Sequence, residues 1–176
     1  MSKVFYDKSI IDQIFEEFRK DTHNHDIDKL TKLVAILPEE DVNKQNSKGW
    51  TVLIYTSYYS YVEIVKLLLK KEGIDINIHN NYGYTALIRA SMNNNIEIVK
   101  LLLEKEGINV NMKNCYGETA LIHASNYGYI EIVKLLLEKE DIDINIRDID
   151  YWTALMHASY QGYTEIVELL KNHKSN

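Results

Sequence analysis

Cysteine, proline and glycine are scarce in this 176-residue chain, which has one cysteine, one proline and seven glycines. The single cysteine, Cys115, excludes an internal disulfide, which is typical of a reducing compartment and predicts a cytoplasmic location. So little proline and glycine leaves no room for a flexible linker. No apolar run reaches about 18 residues, so we expect no membrane span. The N-terminal segment MSKVFYDKSIIDQIFEEF also lacks the apolar core of a signal peptide.

The chain also has no excess of basic residues, since 20 lysines and arginines stand against 26 aspartates and glutamates. The net charge of −6 gives no electrostatic reason to bind nucleic acid, which needs a basic face. We find no phosphate-binding loop, no GxSxG and no HExxH motif, and therefore expect no enzyme, no cofactor and no metal site. His23 and His25 are predicted to lie in a solvated loop, because no cysteine or glutamate cluster accompanies them. Cys115 is predicted to be an exposed, inert thiol.

What the chain does have is an internal repeat. Thr51, Thr85, Thr119 and Thr153 lie 34 residues apart, and nearly every apolar position around them recurs with that spacing. A fixed period of this length is typical of stacked supersecondary units, and not of a single globular core. In such a stack the constant positions hold the fold, so function is expected at the positions that vary between units.

The unit that begins at Asn80 can be divided into a turn, two helices and a loop. NNYG has the composition of a turn, and Thr85 follows as a helix N-cap or first-turn residue. A short first helix ends at Asn93–Asn95, and apolar residues at helical spacing predict a second helix over Ile96–Leu103. Alternating apolar residues from Ile108 then lead through a hairpin-like loop into the next turn.

A single unit cannot bury its apolar residues alone, so neighbouring units must stack. Two series are predicted to form continuous buried ladders, and truncating one member to alanine should cost roughly 2–5 kcal/mol. The ladders are Leu53, Leu87, Leu121 and Leu155 in the first helices, and Ile64, Ile98, Ile132 and Ile166 in the second helices.

At the C-terminal end of the stack, Thr164 and Lys171 replace apolar residues, as a terminal unit requires. The stack is therefore expected to be complete at both ends.

The segments GYTALIRAS, GETALIHAS and YWTALMHAS resemble the helix-opening motif of the ankyrin repeat, and IEIVKLLLEKEGINVN resembles its second helix and loop. The resemblance covers about residues 42–173. It implies an all-α solenoid of helix-turn-helix units, with a concave groove of hairpin tips and first helices that binds a partner without catalysis. The expected division is a helical N-terminal cap or degenerate first repeat over 1–41, then repeats over 42–75, 76–109 and 110–143, and a C-terminal capping repeat over 144–176.

The sequence departs from the family pattern in its period and in its helix-opening motif. The period is 34 residues, one more than the family's usual length of about 33. The motif's usual histidine is replaced by Ile54, Ile88, Ile122 and Met156, so the loops are expected to be stabilised by packing. The recurring Asn43, Asn77, Asn111 and Asn145 are predicted to bond the local backbone of the loop.

The tips and first helices differ most between units and are rich in aromatic residues. Our main hypothesis is a non-catalytic protein-binding module that acts as a monomer, and the alternative is a structural, self-assembling scaffold. The aromatic content has a second explanation, which is base composition combined with packing between repeats. Tyr151 stands where the other tips have glycine, so the fourth tip either adopts another turn or carries strain. We expect a changed turn, with the ring exposed beside Trp152. The candidate partner-binding residues are Trp50, Tyr55, Tyr58, Tyr59, Tyr82, Tyr84, Arg89, Met92, Tyr116, His123, Tyr127, Tyr151, Trp152, His157 and Tyr160.

Overall fold

The computed structural model of the chain describes residues 8–20 and 25–173. Within these ranges the chain forms ten α-helices and one short 3-10 helix, with no β-strand. The helices are α1 Ile10–Glu17, α2 Ile27–Ala35, α3 Val52–Tyr58, α4 Val62–Leu68, α5 Ala86–Met92, α6 Ile96–Leu103, α7 Ala120–Asn126, α8 Ile130–Leu137, α9 Ala154–Gln161 and α10 Thr164–Asn172, and the 3-10 helix is Glu39–Asp41. The all-helical fold predicted from the repeat is confirmed.

Local signals in the sequence explain where the helices begin. Thr85 is the N-cap of α5, and its hydroxyl oxygen accepts a hydrogen bond from the Ile88 amide at 3.2 Å. The same bond opens α3, α7 and α9, so the predicted threonine caps are confirmed. Asn95 caps α6 in the same way, with its side chain accepting from the Ile98 amide at 2.9 Å.

The helices stack in two rows. The first helices α3, α5, α7 and α9 pack in series, as do the second helices α2, α4, α6, α8 and α10. The ladder that starts at Ile64 is buried in all four helices, with at most 1% of each side chain exposed. The leucine ladder is buried at Leu53, Leu87 and Leu121, but Leu155 is only half-buried. The prediction is wrong at Leu155. Within the described residues, no further first helix stacks on α9 to cover this side chain.

The ends of the described chain differ in character. At the N-terminal end, α1 packs on α2 and buries Ile11, Ile14 and Phe15. At the other end Thr164 and Lys171 are exposed, as their polarity requires. The expected cap and terminal repeat extend into residues 1–7, 21–24 and 174–176, which lie outside the described residues.

Asparagine side chains join each loop to the next one. The side-chain amide of Asn77 donates to the Gly107 carbonyl at 2.7 Å, and its oxygen accepts from the Asn109 amide at 2.9 Å. Asn43 and Asn111 make the same pair of bonds to the loop that follows them. These asparagines were expected to bond their own loop. The correction is that they bridge neighbouring units, because stacking brings the next loop closer than the local backbone.

The outer surface of the second helices carries ion pairs that also cross between units. Lys66 lies 2.8 Å from Glu63 on its own helix and 2.8 Å from Glu97 on the next helix. Lys134 repeats the arrangement with Glu131 and Glu165, at 3.6 Å and 3.0 Å. Exposed pairs of this kind contribute little to stability, because water screens them. In the part of the chain that the structure describes, no helix is long and apolar enough to cross a membrane.

Candidate binding face

The tip loops and the exposed sides of α3, α5, α7 and α9 form one surface, which we call the tip face. Each tip is organised by a polar side chain at its start. The carboxamide oxygen of Asn80 accepts hydrogen bonds from the amides of Tyr82 and Tyr84 at 3.0 Å and 3.1 Å. In the other three tips the equivalent hydrogen bonds are accepted by the side-chain oxygens of Asn46, Asn114 and Asp148.

Backbone hydrogen bonds then connect each tip to the next one. The Cys115 amide donates to the Tyr82 carbonyl at 2.8 Å, and the Ile149 amide donates to the Tyr116 carbonyl at 2.9 Å. Ile54, Ile88 and Ile122 are buried below the tips. The expectation that packing alone would replace the family's histidine is therefore incomplete, because hydrogen bonds within and between the tips also stabilise the loops.

Tyr151 does not change the turn of the fourth tip, contrary to our expectation. Its φ is 63°, and its amide donates to the Asp148 carbonyl at 3.1 Å, as Gly83 and Gly117 donate in their own tips. The tyrosine therefore takes the left-handed conformation that the glycines take, which strains an L side chain. Its ring is 73% exposed, as predicted.

Aromatic rings at the N-terminal end of the face pack on the cap. The Tyr55 ring stacks on Phe18 with centroids 4.5 Å apart and planes at 3°. The Tyr59 ring meets His25 edge-on at 4.5 Å and stacks on Tyr61 at 5.6 Å. Tyr55 and Tyr59 are half-buried, so they are less accessible than a partner-binding role suggests. These rings serve at least in part to join the first repeat to the cap.

His25 is not in a solvated setting, although the sequence predicted one. Its Nδ1 lies 2.7 Å from the Tyr61 hydroxyl, and its ring meets Phe18 edge-on at 5.6 Å. His23 lies outside the described residues. Among the residues that the structure describes, no three His, Cys, Asp or Glu side chains are grouped to hold a metal ion. Cys115 is exposed and free.

Arg89 lies among three aromatic rings. Its guanidinium carbon is 3.6 Å from the centroid of Tyr84, 5.0 Å from that of Trp50 and 5.2 Å from that of Tyr58. Cations over ring faces at such distances are attracted by the negative face of the π system. Burial lowers the pKa of Arg89 from its usual value. Its Nη1 also lies 3.9 Å from Met92, whose side chain is half-buried.

The two histidines of the face are held by carboxylates of their own tips. His123 is 4% exposed, with its Nε2 at 3.1 Å from the Glu118 carboxylate. His157 is half-buried, with its Nε2 at 2.7 Å from Asp148. Burial acts to raise the pKa of both carboxyls, but hydrogen bonds from the histidines and from neighbouring groups outweigh it and lower both pKa values. The candidate partner-binding residue His123 is therefore buried, and its ring pairs with Glu118 and is not open to solvent.

Several tyrosines of the tip face point into solvent. Tyr82, Tyr116, Tyr127, Tyr151 and Tyr160 are between 51% and 76% exposed, and Tyr58 is 37% exposed. Three further aromatic residues of the face, Trp50, Tyr84 and Trp152, are half-buried. A row of exposed rings on one face offers a contact surface, although sequence reasoning alone could not separate it from the rings that pack inward.

The fold places this chain among the helical repeat solenoids, whose units stack through buried ladders. A family model described as ankyrin repeats, in three copies, matches residues 22–114 and 106–176. The chain belongs to the ankyrin repeat family. Members of this family are generally protein–protein interaction modules and are typically non-catalytic. No curated protein matches the chain.

Proposed function

We propose that this chain is a non-catalytic protein-binding module whose partner lies in the concave groove formed by the tips and first helices. One observation carries the proposal: the exposed tyrosines are concentrated on the tip face. Among the residues that the structure describes, every tyrosine that is at least 37% exposed lies there, and the one other exposed tyrosine, Tyr163 at 36%, lies between α9 and α10. The proposed units are the cap over 1–41 and the repeats over 42–75, 76–109, 110–143 and 144–176.

The chemistry of these residues suits recognition of a protein surface. A tyrosine ring offers a large rigid contact area with few rotatable bonds, and its hydroxyl can still hydrogen-bond at the edge of an interface. Tyrosine, tryptophan and arginine are also the residues that most often contribute strongly to binding energy. The positions that hold the stack together scarcely vary between units, whereas the tip face presents a different set of side chains in each unit.

The proposal can be tested by capture of partners from a lysate of the source cell, with identification by mass spectrometry. The test variant is Tyr82→Ala, Tyr116→Ala and Tyr127→Ala combined, since these exposed rings can be removed without opening the core. Ile36→Ala is the matched control, because Ile36 is 64% exposed and lies beyond the C-terminal end of α2, away from the tip face. We expect a protein that the wild type and the control retain and the triple variant loses. Identical proteins from all three would contradict the proposal.

A self-assembling scaffold has one observation in its favour. Met156 is 46% exposed, whereas Ile54, Ile88 and Ile122 at the same place in earlier units are 1% exposed. The exposed Thr164 and Lys171 oppose end-to-end stacking, so we propose a monomer. Light scattering over a concentration series distinguishes the two, because a scaffold should grow in mass. A cytoplasmic location is proposed from the single cysteine.

A further inference from the structure

Two pockets on the tip face are built from equivalent positions of the first and last repeats. We call them the N-terminal corner and the C-terminal corner. The N-terminal corner is lined by Lys48, Trp50, Tyr55, Tyr58, Tyr59 and Arg89. The C-terminal corner is lined by Asn126, Asp150, Trp152, His157, Tyr160 and Gln161. Lys48, Trp50 and Tyr58 correspond to Asp150, Trp152 and Tyr160, each pair being separated by three periods of 34 residues.

The aromatic part of the two corners has the same geometry. The Trp50 and Tyr58 rings are 5.7 Å apart between centroids and meet at 78°. The Trp152 and Tyr160 rings are 5.3 Å apart and meet at 75°. An edge-to-face contact covers a face of only one of the two rings, so the pair can still contact a further group. A third ring lies beside each tryptophan, Tyr55 at 4.6 Å from Trp50 and His157 at 5.2 Å from Trp152.

In the N-terminal corner that further group is a cation from the chain itself. The Arg89 guanidinium, which comes from the next repeat, lies over both Trp50 and Tyr58, at 5.0 Å and 5.2 Å from the ring centroids, and nearest to Tyr84 of its own repeat, at 3.6 Å. The molecule thus contains its own example of what this pair of rings binds. The attraction is that of a positive charge for the electron-rich ring face.

The C-terminal corner has the same Trp–Tyr pair without an arginine over it, and the His157 ring, 5.2 Å from that of Trp152, takes the place of Tyr55. No lysine or arginine of the described residues lies over Trp152 or Tyr160. The charge at the tip is also reversed, since Asp150 stands where the N-terminal corner has Lys48. The Asp150 side chain is exposed, and its carboxylate forms no ion pair with the residues that the structure describes. The neighbouring Asp148 is instead paired with His157.

We propose that the C-terminal corner binds a cationic side chain, lysine or arginine, of the protein partner. The cation would lie over Trp152 and Tyr160, as Arg89 lies over Trp50 and Tyr58, while the Asp150 carboxylate supplies the opposite charge. This inference rests on the proposed binding function and adds the chemistry of the partner. The net charge of −6 favours approach of a basic segment. An apolar side chain fits less well, because it would remove Asp150 from water without compensation.

The indole N–H signals of the two tryptophans make a direct test possible. The full chain is labelled with nitrogen-15, its two indole signals are assigned with Trp50→Phe, and a blocked Gly-Arg-Gly peptide is added at low ionic strength. We expect a saturable shift of the Trp152 signal and little change of the Trp50 signal, because Arg89 already lies over Trp50. The same peptide with citrulline, which has the shape of arginine without the charge, should not shift Trp152, and neither should a Gly-Glu-Gly peptide.

Two variants show whether the carboxylate and the second ring contribute. Asp150→Asn and Tyr160→Ala should each raise the Kd of the arginine peptide by about threefold or more. Glu104→Gln, on the exposed side of the second helices, is the control and should leave the affinity unchanged. No shift of the Trp152 signal, equal binding of the citrulline peptide, or unchanged affinity in Asp150→Asn would each overturn the proposal.

Other occupants of the corner give other results. If the Trp152 signal shifts with protein concentration in the absence of peptide, a second copy of the chain occupies the corner and the assignment to a partner is overturned. The partner-capture experiment above uses Tyr82, Tyr116 and Tyr127, none of which lines this corner. The two proposals can therefore fail separately. If the triple variant loses the partner but the Trp152 signal does not respond to the arginine peptide, the binding function is supported and this inference is contradicted.

Discussion

Tyr151 occupies a left-handed backbone position, with a φ of 63°, that the three equivalent tips fill with glycine. Those glycines are needed for more than their φ. A Cβ built on Gly83 would lie 2.8 Å from the Cα of Asn114 in the next tip, and one on Gly117 would lie 2.9 Å from the Cα of Asp148. No further tip follows Tyr151 among the described residues, so its Cβ has room and only the backbone strain remains.

Replacing Tyr151 with glycine should therefore stabilise the protein. Relief of the left-handed strain is worth about 1–2 kcal/mol, and the greater freedom of glycine in the unfolded chain offsets about 0.5–1 kcal/mol of it. We expect Tyr151→Gly to raise the free energy of unfolding by about 0.5–1 kcal/mol in urea denaturation. Gly83→Ala, the comparison variant, should lower it, since strain and a clash act together. A less stable Tyr151→Gly protein would mean that contacts of the ring outweigh the strain.

Glu17 is a buried carboxylate whose partners determine its charge. Its side chain is fully buried, and its two oxygens lie 2.5 Å from the ammonium of Lys20 and 3.2 Å from that of Lys29. Burial acts to raise the pKa of Glu17, but hydrogen bonds from Lys20, from the Asp26 amide and from Lys29 outweigh it, and the pKa falls from 4.5 to about 2.

Since the folded pKa lies below the unfolded value, Glu17 stabilises the protein above pH 4.5, and this contribution is lost as the pH falls towards about 2. We expect Glu17→Gln to reduce stability by roughly 2 kcal/mol at pH 7. The variant should also lose less stability than the wild type between pH 4.5 and 2. Glu16→Gln is the control, because Glu16 pairs with Lys8 at the surface. Urea titrations across this pH range check both points, and parallel curves for wild type and Glu17→Gln would contradict the prediction.

The helices could be predicted well from the sequence because their signals are local. Thr85 and Asn95 cap α5 and α6 at the places expected from the turn and helix pattern. The buried ladders between units could be predicted from the period, but the polar contacts between units could not, because they depend on how the units stack. The Lys105 ammonium, for example, donates to the Leu69 carbonyl at 3.0 Å, near the C-terminal end of α4.

The asparagine bridges between loops give a prediction at the scale of the repeat. Asn77 makes two hydrogen bonds to the loop that follows α6, whereas no bond of the Asn145 side chain occurs within the described residues. Each bond should contribute about 0.5–1.5 kcal/mol. We therefore expect Asn77→Ala to lower the free energy of unfolding by about 1–2 kcal/mol, and the matched Asn145→Ala to leave it nearly unchanged. Equal effects in urea denaturation would show that the asparagines act within their own loops.

In the molecule as a whole, the interior of the stack is covered on both sides and its C-terminal end on one side only. Each first helix packs on the second helix of its own unit. In addition, α5 packs on the first helices α3 and α7, and α7 packs on α5 and α9, whereas α9 packs on the first helix α7 alone among the described residues. The difference is visible at single residues. Leu87 is 2% exposed and Leu155 is half-buried, and Ser91 is fully buried while the equivalent Ser159 is exposed. Stability in such a stack is approximately a sum over units and the contacts between neighbours.

Amide hydrogen exchange should therefore reveal a stack that opens from its C-terminal end. We expect the amides of α9 and α10 to exchange through a partial opening that requires less free energy than the opening of α5–α8, because it breaks only one interface between repeats. Leu155→Ala should speed exchange in α9 and α10 and leave α5 and α6 unchanged. Leu87→Ala, at the equivalent interior position, should speed exchange in the neighbouring helices as well. Equal protection of α6 and α10 would contradict this view, since it would mean that the described helices open only together.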